Sequence, residues 1–413
     1  MIILSFLLSQ VILFGEHAVV FGKTALAASL SNLRTFAHLT AGGEGVVALE
    51  LPDLPSAPTL AFALPELQAL RSHFHGVSLT DADEKAAEPA DDDAAVKALK
   101  VLCAQRADES EHHFSALVVF LYLYLSLATA AADRGTKATE SVRVRIRSTV
   151  PVGAGLGSSA AFSVSCAAAL LQHFHGSHGA DGAPTENAAT SKANINRWAL
   201  KAEKIIHGTP SGIDNSIATF GGALTFHRKQ VEGRVVGVME HLDSFPPLQF
   251  VLTNTAVPRK TSVLVAGVRT LRERYPEVID PVLDSIHALT VKAIGYLAAA
   301  ANSQASEGEL HTHLASLIDV NHHLLNAVGV GHPQLDKIRL LSAQYKLHSK
   351  LTGAGGGGCA FTLLTNETSE EQTKQLIADL DREFGPSSSL TTGVGGPGVT
   401  FHGTADLPTH FHN

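Results

Sequence analysis

The strongest local signal is PVGAGLGSSAA, residues 151–161, which follows the alternating segment SVRVRIRS and precedes an apolar helical pattern. Its glycines lack Cβ atoms, so backbone N–H groups can approach an anion closely. A helix that starts at the end of the loop adds unpaired donors and the positive end of its dipole. The hydroxyls of Ser158 and Ser159 could contact phosphate or Mg²⁺. This stretch therefore predicts a polyphosphate site.

Two other interpretations of the loop remain open on local evidence. It lacks the G-x-x-x-x-G-K-[ST] spacing of the common nucleotide loop, and no lysine follows its last glycine. It approximates a G-x-G-x-x-S dinucleotide fingerprint, but the preceding strand is amphipathic where a central parallel strand is apolar on both faces. A purely structural tight turn is the remaining alternative. Anion binding is the interpretation that the sequence favours.

Composition narrows the class of protein. The chain has 413 residues, of which 45% are apolar and 17% charged, so we expect a globular protein with two domains. A net charge of -8 argues against nucleic acid as a partner. Cys103, Cys166 and Cys359 are widely spaced, which fits a reducing compartment without disulfides and predicts a cytoplasmic protein. The 22 histidines are scattered, as in HFHGSHG, and favour a solvated loop over a metal cluster.

Two apolar segments could be mistaken for membrane elements. Residues 1–14 lack a basic n-region and a small-residue cleavage site, so they do not resemble a signal peptide. Residues 116–132 are uncharged, but they are slightly too short for a typical span and contain Tyr, Ser and Thr. We therefore predict a helix buried in the core at 116–132 and no membrane association.

The order of the patterns predicts an α+β protein. Residues 76–113 are acidic and rich in alanine, which indicates a solvated insertion with a helical end. A double proline after Ser244 marks a candidate boundary between domains at 1–245 and 246–413. Helical patterns cover 187–206, 261–275 and 280–301, the last with Asp280 as N-cap and Pro281 in the first turn.

Two carboxylates and a second glycine run are candidates for chemistry. Glu203 lies in the last turn of a predicted helix, and Asp214 follows beyond the connector GTPSG, so a chain reversal would bring both to one site. A surface role for Glu203 and an N-cap role for Asp214 are the alternatives. The run TGAGGGGCAF, residues 352–361, indicates a backbone that passes close to another group, with a flexible linker as the alternative.

Three motifs in order, VILFGEHAVVFG, PVGAGLGSSAA and KLTGAGGGGCAF, resemble those of the galactokinase, homoserine kinase, mevalonate kinase and phosphomevalonate kinase (GHMP) superfamily. The details GEHAVVFGK, GTPSGIDN and TNTAVPRKTSVLVAGVR are similar to the mevalonate kinase family, whereas the GEHTDY of galactokinases is absent. The resemblance runs from Val11 nearly to the C-terminus and omits the acidic insertion and the loop around His173.

This resemblance implies a two-domain fold, with a ribosomal-protein-S5-domain-2-like N-terminal domain, a ferredoxin-like C-terminal α/β sandwich and the site in the cleft. It implies ATP-dependent phosphorylation of the C5 hydroxyl of (R)-mevalonate with Mg²⁺ as cofactor. It further implies a homodimer that prenyl diphosphates inhibit by competing with ATP.

The resemblance also implies residue roles. Asp214 would be the catalytic base, while Ser159 and Glu203 would hold Mg²⁺. The substrate pocket would be lined by Glu16, His17, Arg259 and Thr261. The ATP-binding residues would be Ser148, Gly153, Ala154, Gly155, Leu156, Gly157, Ser158, Ser159, Gly353, Gly355 and Gly356.

The chain departs from the superfamily pattern just before VIL. Family members carry Ser-Ala-Pro-Gly-Lys there, and the lysine pairs with the catalytic aspartate, whereas this chain reads FLLSQ and ends on the uncharged Gln10. One hypothesis is an active kinase whose first ten residues are a gene-model artefact, because SFLLSQ is what a pyrimidine-rich tract and an acceptor AG would encode. The others are a non-catalytic ligand-binding relative and a kinase for another alcohol, such as phosphomevalonate.

Overall fold

The computed structural model describes residues 2–43, 45–54, 59–75, 94–106, 110–136, 140–150, 156–178, 184–185, 187–208, 210–231 and 234–402. Most of the predicted acidic insertion, 76–93, lies outside the described residues. So do Gly153, Ala154 and Gly155 of the predicted phosphate loop.

Fourteen strands occur in the described residues. They are β1 Ile2–Phe14, β2 Ala25–Ala41, β3 Val46–Glu50, β4 Thr59–Ala63, β5 Val142–Ser148, β6 Ser177–His178, β7 Pro184–Thr185, β8 Ala223–Val231, β9 Arg234–His241, β10 Leu248–Asn254, β11 His348–Leu351, β12 Cys359–Leu364, β13 Ser389–Val394 and β14 Thr400–His402.

One sheet of twelve strands organises the molecule. Its main path runs β11-β12-β10-β13-β2-β5-β3-β4, and β2 also pairs with β1 and β8. All of these pairs are antiparallel except β3 with β5. The two halves of the sheet meet where Val394 of β13 pairs with Leu30 of β2. The domain boundary at 245/246 stays a prediction.

The helices are α1 Leu64–Gln68, α2 Ala94–Ala104, α3 Glu111–Asp133, α4 Ser158–His175, α5 Lys192–His207, α6 Ile213–Phe220, α7 Thr261–Arg274, α8 Pro276–Ala301, α9 Glu307–Ala327, α10 Pro333–Gln344 and α11 Glu370–Phe384, with single 3-10 turns at Ala18–Phe21 and Arg71–His73. The mixed α+β class predicted from the sequence is confirmed.

Two predicted helix starts were wrong. Helix α8 begins at Pro276, so Pro281 lies inside it, and Asp280 accepts a hydrogen bond from Arg272 and does not cap the helix. A proline in the first turn loses no helical hydrogen bond, which makes Pro276 the better start. Helix α5 begins at Lys192 and not at 187, because the Asn187 side chain holds a turn by accepting from the N–H groups of Ala189 and Thr190.

The predicted core helix is confirmed. Helix α3 is buried from Leu117 to Ala131 and packs in one apolar cluster with α4 and Trp198. By length and hydropathy, both α3 and α8 could cross a membrane, but 83% of the apolar window of α3 is buried inside the protein. In α8 that share is 33%. A helix that is apolar on all sides is expected in the interior of a large core, which accounts for α3.

Candidate active site

A cleft of about 620 Å³ opens where β5 ends and α4 begins. This volume lies within the range of about 300–1,000 Å³ that is typical of small-molecule sites. The predicted nucleotide residues Ser148, Ser158 and Ser159 line it. Asp53 and His207, which were not predicted from the sequence, line it as well.

The cleft wall at Ser148 is held by local hydrogen bonds. Its N–H donates to Asp53 at 2.7 Å, and its hydroxyl lies 2.9 Å from the Thr35 hydroxyl. Asp53 also accepts from Arg147 at 3.0 Å. The carboxylate at this edge of the cleft is therefore paired with a cation, which limits its repulsion of an anionic ligand.

The predicted phosphate loop ends in a left-handed glycine that packs against Gln10 and Asp214. Gly157 has φ 75° and is the N-cap residue of α4. A Cβ atom on Gly157 would lie 3.2 Å from Cγ of Gln10 and 3.8 Å from Cβ of Asp214. The N–H of Gln10 also donates to the carbonyl of Leu156 at 3.2 Å. The N-terminus of α4 therefore adjoins the two side chains.

Ser159 and Glu203, predicted to hold a metal together, are in contact. The Ser159 hydroxyl donates to Oε1 of Glu203 at 2.8 Å, and Ser163 donates to the same oxygen at 2.7 Å. Nε2 of His207 lies 3.2 Å from Oγ of Ser159 and 3.7 Å from Oε2 of Glu203. Ser163 and His207 were not predicted from the sequence. Each lies four residues after a predicted residue, Ser163 after Ser159 in α4 and His207 after Glu203 in α5, and this spacing places the two members of each pair on the same face of their helix.

Asp214 lies in the first turn of α6, next to the end of β1. Nε2 of Gln10 donates a hydrogen bond to Oδ1 of Asp214, whereas Oε1 of Gln10 is buried and has no partner among the described residues. Burial, helped by the nearby charge of Glu203, raises the pKa of Asp214 to about 6, against the lowering effect of the Gln10 hydrogen bond. A carboxyl group tuned in this way can accept a proton near neutral pH.

The predicted substrate residues of the first motif are buried. Glu16 is 1% exposed, and its carboxylate accepts hydrogen bonds from Lys350 and, at 3.1 Å, from Asn321. His17 is 5% exposed, and its Nε2 donates to the carbonyl of Ala354 at 2.8 Å. Burial lowers the pKa of His17, which keeps the ring neutral at physiological pH. Lys350 and Asn321 were not predicted from the sequence.

The second glycine run is packed and is not a flexible linker. It connects β11 to β12, and the N–H of Gly356 donates to the carbonyl of Val330 at 2.8 Å. Cβ atoms added at Gly355 and Gly358 would lie 2.2 Å from that carbonyl oxygen and 1.9 Å from Nη1 of Arg259, respectively. The run therefore needs glycine for close backbone approach. It also brings Arg259 to its surface.

For two of the predicted site residues, Gly353 and Thr261, the structure gives a backbone position and no hydrogen bond to the other predicted site residues that it describes. Gly353 has φ 73°, a conformation suited to glycine, at the start of the run. Thr261 is exposed at the first position of α7.

The site offers two kinds of chemistry. Asp214 can accept a proton, and the carboxylate and hydroxyl oxygens of Glu203 and Ser159 are ligands that Mg²⁺ prefers. In the described part of the chain no cluster of three or more His, Cys, Asp or Glu side chains has metal-binding geometry. A hard cation that keeps several waters and binds substrate phosphates does not need such a cluster.

Comparisons with known proteins identify the family. The family model "GHMP kinases N terminal domain" matches residues 122–222, and "GHMP kinases C terminal" matches residues 304–384. Mevalonate kinase of Homo sapiens is 40% identical over 406 residues, covering 96% of this chain and 94% of its own. Mevalonate kinase of Saccharomyces cerevisiae is 34% identical over 94% of this chain and 87% of its own.

Solved structures show the same fold. The crystal structure of L. major mevalonate kinase in complex with R-mevalonate matches with a TM-score of 0.61 at 21% identity and covers 95% of both chains. Lactococcus lactis galactokinase complexed with galactose matches with a TM-score of 0.58 at 16% identity and covers 96% of this chain and 95% of its own.

Proposed function

Because the chain belongs to the mevalonate kinase family of the GHMP kinases, we propose that it transfers the γ-phosphoryl group of ATP to the C5 hydroxyl of mevalonate. The observation that carries this proposal is the joint placement of Asp214, Glu203 and Ser159 at the end of the phosphate loop. Phosphoryl transfer needs a positioned nucleophile and a cation that balances the phosphate charge; Asp214 can position the nucleophile, and Glu203 and Ser159 can hold the cation.

Asp214 would orient the C5 hydroxyl and accept its proton. Its raised pKa brings it close to the working pH, so that proton transfer is matched to the reaction. Gln10 would hold Asp214 through its amide N–H and stabilise the attacking oxygen only as a dipole, since it carries no charge.

Glu203 and Ser159 would hold Mg²⁺, whose charge neutralises the phosphates when it is bound. These two side chains fit the cation because both present oxygen atoms, and the carboxylate belongs to the buried Glu203. Ser163 and His207 would keep the Glu203 carboxylate oriented.

The nucleotide would occupy the cleft beside Ser148, with Gly153, Ala154, Gly155, Leu156, Gly157, Ser158 and Ser159 around its phosphates. We further propose that Gly353, Gly355 and Gly356 close the nucleotide side, and that His17, Arg259 and Thr261 face mevalonate. For Glu16 we propose an indirect role, because its carboxylate is occupied by Lys350 and Asn321.

A second candidate function is ligand binding without catalysis. The observation that favours it is Gln10, which contacts Asp214 at the position of the family lysine without supplying a charge. A third is phosphorylation of another small alcohol such as phosphomevalonate. We also propose that the protein is cytoplasmic, dimeric and inhibited by prenyl diphosphates. The buried thiols of Cys103, Cys166 and Cys359 are consistent with a reducing compartment.

The test is a coupled assay of ADP release with ATP, Mg²⁺ and a panel of alcohols, run beside calorimetric binding of mevalonate and of ATP. We expect turnover with (R)-mevalonate and its loss in Asp214→Asn. Binding of both ligands with no turnover, even after Gln10→Lys, would support the non-catalytic alternative. Turnover with phosphomevalonate alone would assign a different substrate.

A further inference from the structure

A buried ion pair joins the turn after β1 to strand β11. The ammonium of Lys350 donates to Oε1 of Glu16, and both side chains have zero exposure. Lys350 also donates to the carbonyl of Leu351 at 2.8 Å and lies over the rings of Phe14 and Phe361, 5.7 and 5.0 Å from their centroids. The Leu351 carbonyl and the two aromatic rings therefore enclose the Lys350 ammonium.

Asn321 of helix α9 completes the cluster. Its Nδ2 donates to the second oxygen of Glu16 at 3.1 Å, and its side chain is fully buried. Three segments far apart in sequence therefore converge on a single carboxylate. We call Glu16, Lys350 and Asn321 the anchor cluster.

Stability alone is a poor reason for such a cluster. Removing two charges from water costs about as much as their attraction returns, and apolar replacements of buried ion pairs are often neutral or stabilising. What a buried pair does supply is a fixed position, because its hydrogen bonds hold only in one geometry.

The anchor cluster lies where two predicted parts of the site meet. Glu16 directly precedes His17, whose ring donates to Ala354 in the glycine run. Two residues after Lys350, the Thr352 hydroxyl donates at 2.8 Å to the carbonyl of Ile12 in β1. Ile12 follows Gln10 by two positions, so the same strand carries the contact to Asp214.

We propose that Lys350 is a positioning residue that acts through Glu16 and locks the turn carrying His17 and the end of β1 against the glycine run. Lys350 is fully buried and is not expected to touch either substrate. The inference rests on the proposed phosphoryl transfer, in which β1 contacts the base Asp214 through Gln10 and the glycine run closes the nucleotide side.

The experiment compares Lys350→Met, the double variant Glu16→Gln/Lys350→Met and the control Ile338→Ala. Ile338 is fully buried in the same apolar cluster as Leu351 but lies outside the anchor cluster. Each variant is made in the chain as it stands and with Gln10→Lys, and kcat, KM for both substrates and Tm are measured. Mevalonate and ATP affinities are measured by calorimetry.

Lys350→Met is expected to lower both Tm and kcat, because it leaves Glu16 buried and unpaired. The double variant removes that unpaired charge, so Tm should return toward the parent value while kcat stays about 10- to 100-fold low, the typical cost of a misplaced reacting group. Ile338→Ala should lower Tm and leave kcat unchanged below its unfolding transition.

Recovery of kcat together with Tm in the double variant would overturn the inference. Should that variant fail to fold, kcat of Lys350→Met is measured below its unfolding transition and compared with that of Ile338→Ala. Equal kcat values in these two variants would equally overturn the inference. Failure of the parent protein to bind mevalonate would count against the proposed function. If the parent binds and phosphorylates mevalonate and the variants have the same kcat as the parent, only the positioning role would be contradicted.

Discussion

The exchange of Gln10 for lysine is the most informative change that the structure suggests. Gln10 already donates a hydrogen bond to Asp214, and it packs beside Gly157, which has no side chain to obstruct a longer residue. An ammonium at this position would replace a neutral donor with a charged one. It would therefore favour the ionised form of Asp214.

The size of the effect can be bounded. A cation within hydrogen-bonding distance lowers the pKa of a carboxyl group by about one to three units, which corresponds to about 1.4–4 kcal/mol. The pKa of Asp214, raised by burial to about 6, should fall accordingly. The same charge stabilises the attacking oxygen, and preorganised electrostatic contacts of this kind change kcat by about 10²–10³-fold.

The assay is the pH dependence of kcat/KM between pH 4.5 and 9 for the parent and Gln10→Lys. Turnover of the parent should decline on the acidic side around pH 6, because Asp214 is protonated below that value and cannot accept a proton. In Gln10→Lys this limb should move to lower pH and the plateau should rise.

The control is Gln10→Met, which has a similar length but neither a charge nor an N–H donor. Loss of the hydrogen bond should raise the pKa of Asp214 further and move the acidic limb to higher pH. If Gln10→Lys and Gln10→Met gave the same pH profile and the same kcat as the parent, the contact between residue 10 and Asp214 would not govern the reaction.

Three further predictions concern residues of the site. Asp214→Asn should abolish turnover but increase the free energy of unfolding at pH 8. A carboxyl group whose pKa is raised on folding contributes stability below its unfolded pKa near 4 and loses this contribution as pH rises through 6, a full difference of about 3 kcal/mol. Denaturation of the parent and Asp214→Asn at pH 3.5 and pH 8 measures it, and an equal effect of the substitution at both pH values would contradict the prediction. Glu203→Gln should raise the Mg²⁺ concentration required for half-maximal activity about 10-fold or more, and an unchanged Mg²⁺ titration would remove Glu203 from the metal site. Gly358→Ala should lower both Tm and activity, since the backbone of Gly358 has φ 68° and an added Cβ would lie 1.9 Å from Arg259. The control is Gly385→Ala, which also has a positive φ but open space around it and should lose only stability.

Much of the architecture could be predicted because it is encoded locally. Alternation of apolar residues and arginine specified β5, and a long uncharged run specified the buried helix α3. The glycines of the second run were correctly predicted to allow close approach, since only a residue without Cβ fits against Val330 and Arg259. Helix starts were predicted less well, because several capping residues competed in one segment.

The amino-acid sequence alone shows which chemical groups the protein has: a glycine-rich loop, the carboxylates Glu203 and Asp214, and an uncharged residue at position 10. Local patterns extend over a few residues, so they carry no information on partners hundreds of positions apart. The folded chain brings Gln10 to Asp214 across 204 positions and pairs Glu16 with Lys350 across 334. Strand pairing and core packing fix those contacts, because both depend on the whole chain being folded.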